Sequence, residues 1–227
     1  MATLPSPQSS EPPQTAASCP PPASASLPVV ETFHSLQGEG IHAGRSAFFI
    51  RLAGCAVGCP WCDTKHSWPE AGHPRLSLAE LARQARRAIE AGAAFIVITG
   101  GEPLQHDLAP LSAALEGLGP LHLETSGVDP LQGHFDWITL SPKRHRPPRA
   151  ELLAACHELK VVVHGAEDLV FAQAMAASRG SAAAAGPQLL LQPGWDCPAG
   201  QALAVAFVQS HRDWRLSLQS HKWLGVR

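Results

Sequence analysis

The sequence predicts an α/β fold, an incomplete TIM-like barrel of about six parallel strands with helices on the outside. Three observations lead there. Short β-branched and aromatic runs alternate with helical stretches, the rhythm of βαβ units and of a mostly parallel sheet. Only six or seven such runs occur, too few for a full eightfold barrel. The glycine-containing polar motifs follow strand ends, where α/β folds place their chemistry. With 227 residues, 45% of them hydrophobic and 16% charged, the chain can bury one ordinary core. We expect one catalytic domain over residues 29–227, preceded by a tail.

The tail, residues 1–28, is rich in Pro, Ser and Ala and carries a single charge, Glu11. It has almost nothing to bury, cannot offset its own ordering entropy, and is expected to be disordered. The runs "AFFIRL" (Ala47–Leu52) and "AFIVIT" (Ala94–Thr99) predict buried strands. Between them, "SLAELARQARRAIEAG" places Ser77 and Glu80 in capping-box spacing. Leu78, Leu81, Ala85, Ala88 and Ile89 share one face, and Gly92 forms a stop. The rhythm continues with a helix over Asp107–Leu118 and strands over Leu121–Thr125, Trp137–Ser141 and Leu159–Val163. A helix over Glu167–Ser178 and strands over Gln188–Gln192 and Trp214–Leu218 follow. "RGSAAAAGP" (Arg179–Pro187) reads as a low-complexity loop.

A formal net charge of −2 gives no electrostatic reason to wrap nucleic acid or lie on an anionic membrane. No apolar run approaches the ~20 residues that span a bilayer, and no Lys or Arg precedes Arg45, so a basic secretory or transit segment is unsupported. The expected location is the cytoplasm, where six cysteines argue for thiolate chemistry over disulfides. Cys156 and Cys197 stand alone and read as small buried hydrophobes.

The other three cysteines are crowded. Cys55, Cys59 and Cys62 form CxxxCxxC with no second pair to close a structural zinc site, which normally takes four ligands. His66 could be a fourth ligand or an exposed loop residue. Three thiolates suit a [4Fe-4S] cluster whose fourth iron is left open. The spacing, with Trp61 before the last cysteine, resembles the radical S-adenosylmethionine (SAM) enzymes, in which the open iron chelates the methionine part of SAM. "TGGEP" (Thr99–Pro103) directly follows a predicted strand. Its glycines let backbone approach a ligand, and a carboxylate or carbonyl can receive an ammonium.

Taken together, "SLQGEG", "FIRLAGC", "CDT", "TGGEP", "LETSG", "SPK", "LQP" and the terminal "HKWLGVR" resemble the 7-carboxy-7-deazaguanine synthases, in consistent order from about Val29 to Arg227. The resemblance implies a lyase that contracts 6-carboxy-5,6,7,8-tetrahydropterin to 7-carboxy-7-deazaguanine with loss of ammonia, on the route to queuosine. It implies a radical SAM barrel in which a SAM-derived radical takes hydrogen from C6 of the pterin and later returns it. Cys55, Cys59 and Cys62 would hold the cluster. Trp61, Cys62, Asp63, Gly101, Glu102, Ser141, Pro142, Lys143, Gln192, Pro193, Gly194 and Trp195 would place SAM. Leu36, Gln37, Gly38, Glu39, Arg51, Thr99, His221 and Arg227 would bind the pterin, and Thr64 would ligate Mg²⁺.

Two of these roles have a physical rationale of their own. A guanidinium forks onto a carboxylate in two parallel hydrogen bonds, which Lys cannot copy. The strand period of two turns Arg51 away from Ile50 and Leu52, toward a cavity. At the chain end, Trp223, Leu224 and Val226 are apolar enough to dock the segment over the site, and a terminal carboxylate on Arg227 matches the donor edge of an aminopyrimidinone. The resemblance further implies a homodimer and an electron donor such as flavodoxin. The rival readings are a glycyl-radical-type activating enzyme, which shares CxxxCxxC but acts on a protein, and a zinc or iron-sulfur binding module.

Overall fold

The computed structural model describes residues 25–178 and 186–227. The tail reading for residues 1–24, with Cys19, and the low-complexity reading of residues 179–185 lie outside them.

An 11-residue strand, β1 (Ser26–Leu36), runs antiparallel to β2 (Ser46–Leu52) and to the short β3 (Arg75–Ser77). The expected tail boundary at residue 28 is therefore corrected. Ser26, Leu27 and Pro28 already pair with Ser77, Leu76 and Arg75, and Leu27 is buried. A helix, α1 (Leu78–Glu90), follows, with the Ser77 hydroxyl accepting from the Glu80 amide as the capping spacing required. Next come β4 (Ile96–Gly100), α2 (Ala109–Leu115), β5 (Leu121–Thr125) and β6 (Trp137–Leu140). The chain continues through α3 (Ala150–Ala155), β7 (Glu158–Val163), α4 (Ala166–Ala177) and β8 (Gln188–Pro193). It finishes with α5 (Pro198–Ser210), β9 (Trp214–Leu216) and α6 (Ser220–Leu224).

Among the described residues nine strands form one sheet in the order β3-β1-β2-β4-β5-β6-β7-β8-β9, parallel from β2 to β9. The parallel part is thus seven strands where about six were expected, and the partial-barrel expectation holds. Helices α3, α5 and α6, and strand β3, were not anticipated. Helix α5 is apolar nearly all round, so it shows no amphipathic face, while α3 and α6 are too short to show a period.

Alternation along the strands gives the sheet two unlike faces. The outer face carries Ile50, Leu52, Ile96, Ile98, Leu123, Leu140, Leu159 and Leu191, packed with Leu81, Leu111, Leu152 and Ala204 of the helices into one apolar core. Each such side chain contributes about 1.5–3 kcal/mol on burial. The inner face carries Arg51, Thr99, His122, Glu124, Thr139, Glu158, Lys160 and Gln192, and all of these but Arg51 and Glu124 are buried. Groups that expensive to bury are retained where they pair with one another or with a ligand.

Candidate active site

The cysteine loop leaves β2 at Leu52. Its path is set by backbone bonds from Gly54 to Ser67 (2.8 Å), from Cys55 to Trp68 (3.0 Å) and from Cys62 back to Cys59 (3.1 Å). Gly54 sits at φ 105° and Gly58 at φ 73°, in the left-handed region that favours glycine. Cys55, Cys59 and Cys62 thereby face one hollow of ≈ 370 Å³ at the C-terminal ends of the parallel strands. His66 is exposed and is not in that wall.

The segment after β4 packs directly on this loop. Gly101 donates its amide to Leu52, Glu102 donates to Gly54, and a Cβ on Gly101 would lie 2.2 Å from the Gly54 carbonyl oxygen. Only glycine allows that approach. Glu102 lines the hollow, but its oxygens are taken by the hydroxyls of Thr125 and Ser126 (both 2.5 Å) and the amides of Ser126 and Leu104. It acts as a fixed acceptor that organises the strand ends.

From β6, Lys143 reaches into the same hollow and donates to the Ser141 hydroxyl (2.8 Å). Burial holds the Lys143 ammonium below the ordinary lysine value. Trp61, Asp63, Gln192, Gly194 and Trp195 complete the expected wall. Ser141 accepts from Lys143 and Pro142 is buried, neither of them in that wall, and Pro193 lines a neighbouring hollow. Trp61 packs against the rings of His145 and His164.

A second hollow of ≈ 230 Å³ adjoins the first. All eight residues expected to bind substrate line it: Leu36, Gln37, Gly38, Glu39, Arg51, Thr99, His221 and Arg227. The two spaces share Glu39, Asp63, Thr64, Thr99, Glu124 and Gln219, among others. Thr64 stands at this junction with its hydroxyl 3.5 Å from the Cys62 sulfur. Glu124 is the principal residue the sequence reading missed. It accepts from Gln37 Nε2 (2.9 Å) and Thr99 Oγ1 (2.8 Å) and so joins β4, β5 and the turn that follows β1. The motif "LETSG" was visible, and an acidic residue inside an apolar strand was its signal.

Arg51 aligns with Thr99 across the parallel pair and with Glu31 across the antiparallel one. Its Nε donates to Glu31 Oε1 (3.1 Å), and Arg227 takes the other oxygen of Glu31 (2.9 Å). One carboxylate thus serves two guanidiniums. The terminal nitrogens of Arg51 have no partner among the described residues.

Behind them, burial opposes ionisation of Glu39. Lys160, with hydrogen bonds from Gln219 and Gln192, overcomes it and holds the carboxyl at about 2. Burial of His221 pushes its imidazole below the ordinary histidine value, which favours the neutral ring. A Cβ on Gly38 would lie 2.1 Å from His221 Nδ1, so this glycine makes the space the ring occupies.

The chain end docks as expected but for a different reason. Trp223 is 76% exposed, Leu224 61% and Val226 39%; apolar burial does not hold the segment. Polar contacts do. Ser220 donates its amide and hydroxyl to the Gly38 carbonyl (both 2.9 Å), Gln219 donates to Glu39 (2.9 Å), and Ser217 accepts from the Gly40 amide (2.9 Å). Lys222 pairs with Asp63 (2.5 Å), and Ser35 donates to a main-chain oxygen of Arg227 (2.6 Å). His221 and Lys222 lie on α6, not at a strand end. Of the lone cysteines, Cys156 is buried as expected, whereas Cys197 is half-buried and its sulfur caps α5 by accepting from Gly200.

Among the described residues no three His, Cys, Asp or Glu side chains close on one point to hold a single ion. The three thiols instead face one common space beside a cation, as a group of several metal atoms requires. Burial pushes the Cys55 and Cys59 thiols up, with Lys143 opposing the rise at Cys59. A thiophilic metal group would draw them into the thiolate form.

Residues 49–169 match the Radical SAM superfamily. A 7-carboxy-7-deazaguanine synthase of Prochlorococcus marinus is 52% identical over 223 residues, covering 89% of this chain and 99% of the relative. The Escherichia coli K12 protein of the same name is 34% identical, covering 88% and 98%. The crystal structure of QueE from Escherichia coli superposes with a TM-score of 0.77 at 32% identity, covering 86% of this chain and 95% of that one.

Proposed function

Because the chain belongs to the 7-carboxy-7-deazaguanine synthase family of the radical SAM superfamily, we infer that it contracts 6-carboxy-5,6,7,8-tetrahydropterin to 7-carboxy-7-deazaguanine with loss of ammonia. The observation that carries this reading is the junction of the two hollows. A thiol-lined space and a charged, heterocycle-sized space meet at Thr64, Thr99 and Glu124.

Cys55, Cys59 and Cys62 would hold a [4Fe-4S] cluster, which with SAM would supply the hydrogen-abstracting radical. The chain's own residues bind and orient. Trp61, Gly101, Lys143 and Gln192 border the SAM side. Arg51 offers the terminal nitrogens of its guanidinium to the substrate carboxylate while Glu31 holds its Nε. Glu39 and Glu124 present acceptors to the N–H edge of the aminopyrimidinone, and His221 closes the space above Gly38. Holding the reacting carbon in one place relative to the SAM side is the main service such a protein gives. Thr64, at the junction, would help hold a Mg²⁺, which would supply positive charge for the substrate carboxylate. The family resemblance also supports a homodimer, a cytoplasmic setting and a one-electron donor of the flavodoxin kind.

The test is metal content. Anaerobically reconstituted protein should be brown, with iron and sulfide near four each per chain, as a [4Fe-4S] group requires. A colourless holoprotein with stoichiometric zinc would overturn the reading.

A further inference from the structure

The floor of the substrate hollow rests on a residue that does not line it. Lys160 lies on the inner face of β7 and is 5% exposed. It is absent from the walls of the thiol-lined and substrate hollows and borders a ≈ 10 Å³ void with Glu39, Glu124 and Glu158. Its ammonium is bonded to Glu39 Oε2, while Gln219 holds Glu39 Oε1 (2.9 Å). Two residues earlier on the same face, Glu158 accepts the Ile41 amide (2.9 Å), and a Cβ on Gly40 would lie 2.2 Å from its other oxygen. Strand β7 therefore grips the "LQGEG" turn twice, by its backbone through Glu158 and by its carboxylate through Lys160.

The charges make that grip specific. Three carboxylates, Glu39, Glu124 and Glu158, surround one ammonium, and together they raise Lys160 well above the ordinary lysine value against the opposing effect of burial. A carboxylate on a glycine-flanked turn has several rotamers, and a buried cation on one oxygen leaves one of them favoured. We propose that Lys160 is a positioning residue for substrate recognition, fixing from below the orientation in which Glu39 meets the donor edge of the pterin. The proposal rests on the reading that Glu39 contacts the substrate.

A purely structural Lys160 would affect the whole fold, cluster and SAM included, whereas a positioning one acts on pterin affinity through Glu39. Four reconstituted holoproteins separate these: Lys160→Met, Lys160→Gln, Glu39→Gln, and the double variant Lys160→Met with Glu39→Gln. Lys160→Met should raise the KM for carboxytetrahydropterin about tenfold or more, with iron content and SAM Kd within about twofold of the parent. Lys160→Gln, which keeps a donor without the charge, should fall between, and it carries the test if the Met variant does not fold. The double variant should be no worse in kcat/KM than Glu39→Gln by more than about twofold, because both changes act through one carboxylate. Independent, multiplying losses in the double variant would overturn the proposal. So would an unchanged KM in both Lys160 variants while Glu39→Gln raises it. An unchanged KM in Glu39→Gln would instead remove Glu39 from the substrate, and the proposal with it.

Discussion

The two hollows at the C-terminal edge of the sheet are built in opposite ways. The thiol-lined space draws its metal-binding side chains from eight consecutive positions, Cys55 to Cys62, on a loop that Gln105, His145 and Arg146 tie to the rest of the fold. The substrate space is assembled from the far ends of the chain. Ser35 meets Arg227 across 192 positions, and Gly38 meets Ser220 across 182. The thiols of the radical-generating centre thus come from one short segment, while the pocket that selects the substrate depends on the two ends of the chain meeting. Chemistry and selection should then be separable by mutation.

The largest effect is expected on the compact side. Cys59→Ser removes one of three thiolates facing the common space, so cluster loading, SAM cleavage and product formation should all fall, turnover by about 10³-fold or more. Retention of full iron and SAM cleavage would break the assignment of that hollow. Gly38→Val sharpens the contrast from the other side. Its branched side chain would collide with His221, because a Cβ at position 38 would also come within 2.7 Å of the His221 Cβ and Cγ. Product formation should drop about 10²-fold while uncoupled SAM cleavage in the same sample changes by no more than about threefold; parallel loss of both would deny the separation.

Arg51→Lys keeps the charge but loses the fork. Its KM for substrate should rise about tenfold, roughly 1.4 kcal/mol, at unchanged SAM affinity. Kinetics matching the parent would move the substrate carboxylate elsewhere. The smallest effect belongs to the junction itself. Thr64→Ala should weaken the Mg²⁺ dependence of turnover by a few fold and leave cluster content intact. An unaltered Mg²⁺ titration would take Thr64 out of the metal's shell.

The same contrast decides what could be read from the sequence. The cysteine loop and the glycines after β4 are local, so spacing alone exposed them. Arg51 was legible because a strand has a period of two and the flanking residues are apolar. Glu124 and Lys160 follow the same rule on β5 and β7, yet a single charge in a buried strand does not say what it faces until the barrel curls. The sequence docks the chain end through the apolar Trp223, Leu224 and Val226, but these are exposed, and hydrogen bonds made by Ser217, Gln219 and Ser220 hold the segment. Short polar side chains carry no periodic signal, so their partners appear only in three dimensions. Strand β1 begins earlier than the composition suggested because Ser26–Pro28 pair with β3.

The most direct test of the account is an anaerobic turnover of the reduced holoprotein with excess 6-carboxy-5,6,7,8-tetrahydropterin and a limiting amount of SAM, followed by chromatography of the products. Formation of 7-carboxy-7-deazaguanine in excess over the SAM supplied is the result expected of a barrel that holds pterin against a reusable SAM. Consumption of SAM to methionine and 5′-deoxyadenosine with no deazaguanine would contradict it.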